Sequence, residues 1–151
     1  MNIFIPDSWL RDFLKSDASP KEVAIALSAG SLNVERIKEI GTDTVYEIET
    51  TPNRYDCLSV LGIAREAAAV LVHQGKKAEF REERSALEFP AKPTLSLNPS
   101  ISNSELCPRF CAFVIDGVKI QPSDAMIVRR LEKAGLRSLN NVIDATNYIM
   151  L

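Results

Sequence analysis

Apolar and polar residues alternate over Tyr46–Glu49, the period of a half-buried β-strand. Tyr46 and Ile48 share one face, whereas Glu47 and Glu49 share the other. The strand is expected to stop before Pro52, because proline cannot donate to a sheet ladder.

A long helix is predicted after this turn, from about Asp56 to Gln74. Apolar residues recur there at helical spacing, at Leu58, Leu61, Ala64 and Ala68. We expect Asp56 to cap the first turn and Gly75 to follow the last one. Gly62 inside the helix costs about 1 kcal/mol relative to alanine, which indicates close packing at that position.

The pattern upstream predicts a short strand at Ile3 and Ile5 and then two short helices. The first is expected to be capped by Asp7 or Ser8, and its apolar residues are Trp9, Leu10, Phe13 and Leu14. Trp9 and Phe13 stand four apart, so core packing is expected in preference to a stacking platform for a base or ligand.

Ser19 and Pro20 form a strong start signal for the second helix, and Gly30 is its natural stop. Two short helices with a tight joint are also typical of a DNA-binding helix-turn-helix. The second helix offers only Lys21 as a basic side chain, which disfavours DNA recognition. Residues 32–40 and 44–49 then predict an antiparallel strand pair joined by a turn at Gly41.

Beyond residue 78 the pattern changes, and 79–104 is predicted to be a charged, proline-containing linker with a short strand at Leu95 and Leu97. Residues 107–115 are largely apolar on both faces, which predicts a strand buried on both sides.

Two further helices are predicted, one capped by Ser123 and ended by Gly135, the other capped by Asn140 or Asn141. The expected apolar stripe of the last helix is Val142, Ile143, Thr146, Ile149 and Met150.

Together these elements predict an α+β fold: a small helical, winged-helix-like N-terminal unit with a strand pair, followed by the start of a second mixed α/β unit. The expected boundaries are a scaffold domain at 1–78, a linker at 79–104 and a truncated second domain at 105–151. The chain stops on apolar residues of an uncapped helix, so we expect it to be part of a longer protein.

The 151 residues are 46% apolar and 25% charged, as in soluble globular proteins, with a net charge of −2. This balance disfavours autonomous binding of nucleic acid, which needs a basic surface. The sequence has neither an apolar run long enough to span a membrane nor a signal peptide, which favours the cytoplasm.

A structural zinc site normally takes four ligands. It is disfavoured here, because the sequence offers three cysteines, Cys57, Cys107 and Cys111, and one histidine, His73, with only one closely spaced pair. Reduced, packed cysteines are the expected state. Cys57 near a helix start could alternatively have a lowered pKa, but it has no base nearby in the sequence. We expect His73 to contact solvent and the helix end.

Other candidates for chemistry also have structural readings. Glu47 and Glu49 could bind a cation, although a solvated strand face is favoured. Ser59 does not stand in a nucleophile elbow, and no glycine-rich phosphate loop is present. Arg54 and Asp56 are predicted to fix the turn by ion pairing or by bonds to the backbone.

Four cations cluster around the helix that follows Ser123: Arg129, Arg130, Lys133 and Arg137. They could contact an RNA backbone, but an exposed polar face is the default for charge on a helix. Asp144, Thr146 and Asn147 are expected to be hydrogen-bonded structural residues. We therefore assign no catalytic, cofactor-binding or metal-binding residue to this chain.

The segment from Thr51 to Glu66, TPNRYDCLSVLGIARE, resembles the signature of the bacterial phenylalanyl-tRNA synthetase beta subunit. Tyr55 departs from it, since the family usually has proline there. The resemblance covers Met1–Leu71 and Cys107–Leu151. The final residues resemble the segment that enters the central beta-subunit domain, which removes wrongly attached tyrosine.

This resemblance implies a ligase that joins phenylalanine to its tRNA with ATP and Mg²⁺, as a heterotetramer of alpha and beta subunits. Aminoacylation would belong to the alpha subunit, while the beta subunit scaffolds it, contacts tRNA and edits. Family members usually carry an inserted OB-fold tRNA-binding module between two such strands, and residues 36–42 are too short to contain one. The expected role is that of a scaffold; a free-standing nucleic-acid-binding module or a protein-interaction adaptor is the alternative.

Overall fold

The computed structural model of the chain describes residues 1–82 and 95–151. The chain divides into two compact units, one formed by Met1–Glu83 with Ile120–Leu151 and the other by Arg84–Lys119. Its secondary structure is of the mixed α+β kind that the hydrophobic pattern predicts. The elements in chain order are β1 Asn2–Pro6, α1 Asp7–Phe13, β2 Leu14–Ser16, α2 Pro20–Gly30, β3 Asn33–Ile40, β4 Asp43–Glu49, a 3₁₀ turn at Tyr55–Cys57, α3 Val60–His73, β5 Ala78–Phe80, α4 Ala125–Lys133 and α5 Asn141–Met150.

The main sheet has the order β1-β4-β3 and is antiparallel throughout. The predicted strand pair is confirmed, and β1 adds a third strand with Ile3 opposite Ile48. Ile40 pairs with Asp43, so only two residues join β3 to β4. Gly41 there has φ 64°, a conformation that glycine adopts without strain. The hairpin is therefore closed directly, with no room for an inserted module.

The core of the first unit lies between this sheet and helices α1, α2 and α3. Tyr46 and Ile48 are fully buried, as the strand pattern predicts. On α3 the buried face is shifted from the expected one, because Leu61 is only half-buried while Ile63 is fully buried. The largest fully buried side chains of the first unit include Trp9, Leu10, Leu27, Ile63 and Leu71.

The start of α3 differs from the sequence prediction. The helix begins at Val60, and Ser59 caps it by accepting a hydrogen bond from the Gly62 amide at 3.0 Å. The expected cap, Asp56, lies in the 3₁₀ turn, where Arg54 engages its carboxylate. Gly62 is closely packed, since a Cβ there would lie 1.8 Å from the backbone oxygen of Asp56.

Of the caps predicted for the two N-terminal helices, one is confirmed and the other is wrong. The Ser19 cap is confirmed as a full capping box with Glu22. The cap predicted for α1 is wrong: Pro6 holds the N-cap position without a capping side chain, and the free amide of Ser8 donates to the carboxylate of Asp43. Asp7 bonds to Arg11 and Tyr46 instead, because these partners lie beside it in the folded unit.

The C-terminal helices begin one residue from, or at, their expected caps. Asp124 caps α4 in place of Ser123, and Asn140 caps α5 as predicted. The expected apolar stripe of α5 is wrong, since Ile149 is 84% exposed and its stripe neighbours are also exposed. The face of α5 that turns inward instead carries Asp144, which is fully buried, and Tyr148, which is half-buried. The Asp144 carboxylate is hydrogen-bonded there, and the Tyr148 ring stacks on Trp9.

The second unit contains none of the predicted strands within its described residues, 95–119. Phe110 and Ile115 are exposed where burial was expected. A strand buried on both faces needs neighbouring strands, and no described residue forms a sheet ladder with this segment.

Of the predicted linker, residues 83–94 lie outside the described residues. Its beginning forms β5, which pairs with β2 through Leu14 and Phe80.

Candidate functional site: the strand-to-helix turn and the contacts of α4 and α5

The turn between β4 and α3 is fixed by one guanidinium group. Arg54 bonds to both oxygens of Asp56, with Nε 3.0 Å from Oδ1 and Nη2 3.0 Å from Oδ2. Its Nη2 also lies 2.9 Å from Oε2 of Glu66, one helical turn beyond Gly62. The predicted ion pair across the turn is thereby confirmed, and Glu66 is a second acidic partner that was not predicted.

The same guanidinium joins two further elements. Its Nη1 lies 3.0 Å from Oγ of Ser31, the residue after α2, and Nη2 lies 2.9 Å from Sγ of Cys57. Ser31 in turn donates to the carboxylate of Glu66. The end of α2, the 3₁₀ turn and the body of α3 therefore meet at Arg54, which makes the turn a structural joint.

The charges of this joint agree with that geometry. The Arg54 guanidinium lowers the pKa of Asp56 to about 2. Burial alone would raise the pKa of Glu66, but the bonds from Ser31 and Arg54 outweigh it and the net shift is downward. Burial raises the pKa of Cys57 to about 12, so the thiol stays protonated at neutral pH. Cys57 is a packed thiol here, and the alternative of a lowered pKa is wrong.

Three ligand atoms of Asp56, Cys57 and Glu66 lie within 4.8 Å of one another, close enough to hold a metal ion. The Arg54 guanidinium already lies at 2.9–3.0 Å from all three groups. A metal ion would have to displace a group whose positive charge is already matched by the two carboxylates. The donor set therefore fits the arginine better than a metal.

We expect Arg54→Ala to lower the free energy of unfolding by about 2 kcal/mol, because two carboxylates would lose their charged hydrogen-bond donor. Urea denaturation at neutral pH measures this change. Arg129→Ala is the matched control, since Arg129 is an exposed arginine on α4. A loss below about 0.5 kcal/mol for Arg54→Ala, the range of ordinary surface sites, would contradict the structural role of the joint.

The glutamates of β4 are occupied by neighbours in the sheet. Glu47 forms an ion pair with Lys38 at 2.8 Å and accepts a hydrogen bond from Asn2 at 3.2 Å, and Glu49 accepts one from Asn33 at 3.3 Å. These cross-strand contacts favour a structural role over a cation site. The expected solvated face is wrong for Glu47, which is buried, and is confirmed for Glu49, which is exposed. His73 is exposed in the last turn of α3, as expected.

Two of the four cations clustered around α4 are used inside the first unit. Arg130 lies 2.6 Å from Asp12, bonds to the hydroxyl of Tyr148 at 2.6 Å, and sits 5.5 Å above the Trp9 ring. Trp9 itself stacks on Tyr148 with ring centroids 4.5 Å apart. These contacts bind α4 and α5 to α1 and pair the Arg130 guanidinium with an acidic side chain of the same unit.

The second of these cations, Lys133, pairs with a buried carboxylate at the start of β4. Its Nζ lies 2.8 Å from Oδ2 of Asp43. The Ser8 hydroxyl donates to the same oxygen at 2.6 Å, and the Ser8 amide donates to Oδ1 at 3.0 Å. Burial opposes the charge on Asp43, but Lys133 and Ser8 outweigh it and lower its pKa. Arg129 and Arg137 remain exposed.

The contact between Asp43 and Lys133 makes the stability of the fold depend on pH in the acidic range. A carboxyl whose pKa is lowered in the folded state stabilises the fold above its unfolded pKa of about 3.9, and this contribution is lost as the pH falls through the folded value. We expect the urea midpoint of the chain to fall between about pH 5 and pH 2, and Asp43→Asn to remove part of that fall. Asp17→Asn, at an exposed position, is the control. Equal acid dependence of both variants would contradict the prediction.

Asp144 organises the loop before α5. It accepts from Ser123 and Ser138 at 2.5 and 2.6 Å and from the Leu139 amide at 2.9 Å. These bonds lower its pKa, which keeps the carboxylate ionised. Its predicted structural role agrees with this geometry.

Ser31, Asp43 and Glu66 are among the members of these networks that the sequence did not reveal. The spacing Ser59–Gly62–Glu66 places Glu66 on the face of α3 that looks to the turn, so a signal for it existed. Asp43 and Ser31 carried no such signal, because their partners are distant in sequence.

Comparisons with known proteins extend this description. Residues 106–151 match the model of the B3/4 domain family. The phenylalanine–tRNA ligase beta subunit of Geobacter sulfurreducens is 47% identical over 109 residues, which are 72% of this chain and 13% of that protein. That of Carboxydothermus hydrogenoformans is 44% identical over 119 residues, 78% of this chain and 14% of that protein. No solved structure matches the chain significantly.

A third relative, the beta subunit of Rhodopirellula baltica, is 36% identical over 145 residues, which are 95% of this chain and 20% of that protein. The chain is therefore related to aminoacyl-tRNA synthetases, the enzymes that attach amino acids to tRNA. Over the matched residues it belongs to the family of phenylalanine–tRNA ligase beta subunits, which confirms the resemblance of the Thr51–Glu66 motif. It spans about a fifth or less of the length of these relatives.

Proposed function

We propose that this chain is part of the beta subunit of a phenylalanine–tRNA ligase and serves as a scaffold within it. The observation that carries this proposal is the identity of 47% over 109 residues to a beta subunit of that name. The whole enzyme would attach phenylalanine to its tRNA with ATP and Mg²⁺, in the cytoplasm, as a heterotetramer with an alpha subunit.

The geometry of the described residues supports the scaffold role. The charged groups that come together, around Arg54, Asp43 and Asp144, are bonded to one another and to the backbone. Such satisfied networks fix the relative positions of elements and leave little capacity for proton transfer to a substrate. In this proposal the aminoacylation residues belong to the alpha subunit, and residues 105–151 begin the editing-type domain of the beta subunit.

A free-standing nucleic-acid-binding module is the alternative in another class. It is disfavoured because Arg130 and Lys133 pair with acidic residues of the same unit. A titration of the chain with tRNA at several salt concentrations tests it, since phosphate contacts give a steep salt dependence. Saturable binding with such a dependence, by the chain alone, would favour the alternative.

The direct test of the proposed function is charging of tRNA. The complete beta-type polypeptide that contains this chain is co-expressed with the alpha subunit of the same organism, and phenylalanine attachment is measured with ATP and Mg²⁺. We expect a complex that charges tRNA, with no charging by either subunit alone. A co-purified complex without charging activity, or no complex at all by size-exclusion chromatography, would contradict the proposal.

Among residues 1–82 and 95–151, none of the helices combines the length and the hydrophobicity that a membrane span requires.

A further inference from the structure

The first backbone amide of α3 donates to a residue from the other end of the sequence. An α-helix leaves its first backbone amides without acceptors inside the helix. The hydroxyl of the N-cap residue, Ser59, accepts from one of them, the Gly62 amide, at 3.0 Å. The Val60 amide, at the first helical position, donates instead to the backbone oxygen of Leu151, the C-cap residue of α5. The carboxyl end of α5 therefore meets the amino end of α3.

The packing of α5 brings its carboxyl end to this position. Tyr148 and Leu151, three residues apart, both pack against the core of the first unit. Ile149 and Met150 between them are 84% and 62% exposed. The helix dipoles are complementary as well, since the carboxyl end of α5 carries partial negative charge and the amino end of α3 partial positive charge. Apolar packing and helix electrostatics therefore both favour the contact.

The amino end of α3 is shaped by the Thr51–Glu66 motif. Gly62 lets the 3₁₀ turn approach the helix closely, because a Cβ there would lie 1.8 Å from the backbone oxygen of Asp56. Arg54 ties the same turn to the body of the helix through its ion pairs with Asp56 and Glu66. The motif therefore fixes the position and the direction of the free amides at the start of α3.

We propose that the Thr51–Glu66 motif is a docking site for the carboxyl end of α5, in which the Val60 amide holds the backbone oxygen of Leu151. The motif lies outside the residues that match the B3/4 family, whereas α5 lies inside them, so the docking joins these two regions of the sequence. It goes beyond a general scaffold role because it assigns the motif one partner. That the partner begins an editing-type domain rests on the proposed function.

The test removes one amide and leaves the helix intact. Proline at the first helical position deletes the donor to Leu151 but breaks no bond within α3, because that amide has no acceptor inside the helix. Ser59 before it has an extended backbone, with φ −144° and ψ 157°, as a residue before proline requires. Val60→Ala is the matched control for Val60→Pro, since it also shortens a buried side chain but keeps the amide.

Backbone amide hydrogen exchange, measured by NMR on the full 151-residue chain, reports the docking. We expect exchange at residues 147–151 to be about fivefold faster in Val60→Pro than in Val60→Ala, the change that loss of one net hydrogen bond produces. Exchange in β1 and β4 should be equal in the two variants, because the sheet keeps its ladder in both.

A double-mutant cycle tests whether the motif acts through this amide. Arg54 bonds to the 3₁₀ turn and to α3, so an effect of Arg54→Ala on α5 is transmitted through the motif. We expect Arg54→Ala to speed exchange at residues 147–151 more than in the sheet, and the exposed-site control Arg129→Ala to leave both unchanged. In the Arg54→Ala background, Val60→Pro should then exceed Val60→Ala by less than twofold.

Equal exchange at residues 147–151 in Val60→Pro and Val60→Ala would overturn the docking site. So would a difference between them that is as large in β1 and β4 as in α5, because it would report unfolding of the whole unit. A full fivefold difference in the Arg54→Ala background would overturn the part assigned to the motif. None of these measurements depends on charging of tRNA, so loss of the proposed function would leave their outcome unchanged.

Discussion

Replacing Trp9 with alanine is expected to lower the free energy of unfolding by about 4 kcal/mol, more than any other substitution proposed for this chain. Trp9 is only 2% exposed, so the change removes a large buried side chain from the centre of the first unit. It also removes the stack on Tyr148 and the ring beneath Arg130. Aromatic pairs add about 0.5–1.5 kcal/mol beyond the area they bury. Denaturation in urea, followed by circular dichroism, measures the loss.

Two further variants separate core packing from the contact with α5. Tyr148→Ala removes the stack but leaves Trp9 in place, so its loss should be smaller than that of Trp9→Ala. Tyr55→Ala is the aromatic control, because Tyr55 is 78% exposed and its loss should stay within about 0.5 kcal/mol. Equal losses for Trp9→Ala and Tyr55→Ala would show that Trp9 does not hold this unit together.

Gly62→Ala is expected to lower the free energy of unfolding by about 3 kcal/mol, although alanine is normally the better helix residue by about 1 kcal/mol. The added Cβ would lie 1.8 Å from the backbone oxygen of Asp56, so the 3₁₀ turn or the helix start has to move. That movement would also disturb the Arg54 joint, whose carboxylate partners stand on either side of Gly62. Thermal and urea melting of the variant measure the change.

The control for Gly62→Ala lies on the same helix. Val72 is exposed on α3, so Val72→Ala should change the unfolding free energy by less than about 0.5 kcal/mol or raise it slightly. A stabilising effect of Gly62→Ala would mean that the 3₁₀ turn can move at little energetic cost. The close approach of Gly62 to Asp56 would then have no consequence for stability.

These predictions have a common consequence for the proposed function. Arg54 fixes the turn between β4 and α3, and the contacts among Trp9, Arg130 and Tyr148 hold α4 and α5 against α1. Charging activity that fails in a Trp9→Ala enzyme while the alpha subunit remains folded would therefore report loss of the scaffold. Direct participation of Trp9 in the chemistry is not required for such a result.

Much of the local structure was predictable from short-range patterns. The capping box of Ser19 and Glu22, the strand face of Tyr46 and Ile48, and the Arg54–Asp56 pair all depend on residues close in sequence. The cap of α3 was predictable only in type. Asp56 and Ser59 are both good cap residues, and the choice fell to Ser59 because Arg54 binds the carboxylate of Asp56.

The sequence by itself determined the α+β class, the positions of most helices and the family, because periodicity and an uncommon motif are local properties of the chain. Only the tertiary structure decided which face of α5 is buried and which cations pair internally. Those outcomes depend on partners far away in sequence: Lys133 meets Asp43 and Tyr148 meets Trp9 across most of the chain. The sequence sets whether one face of a helix is apolar or polar. Whether that face is buried depends on the surface against which the helix packs.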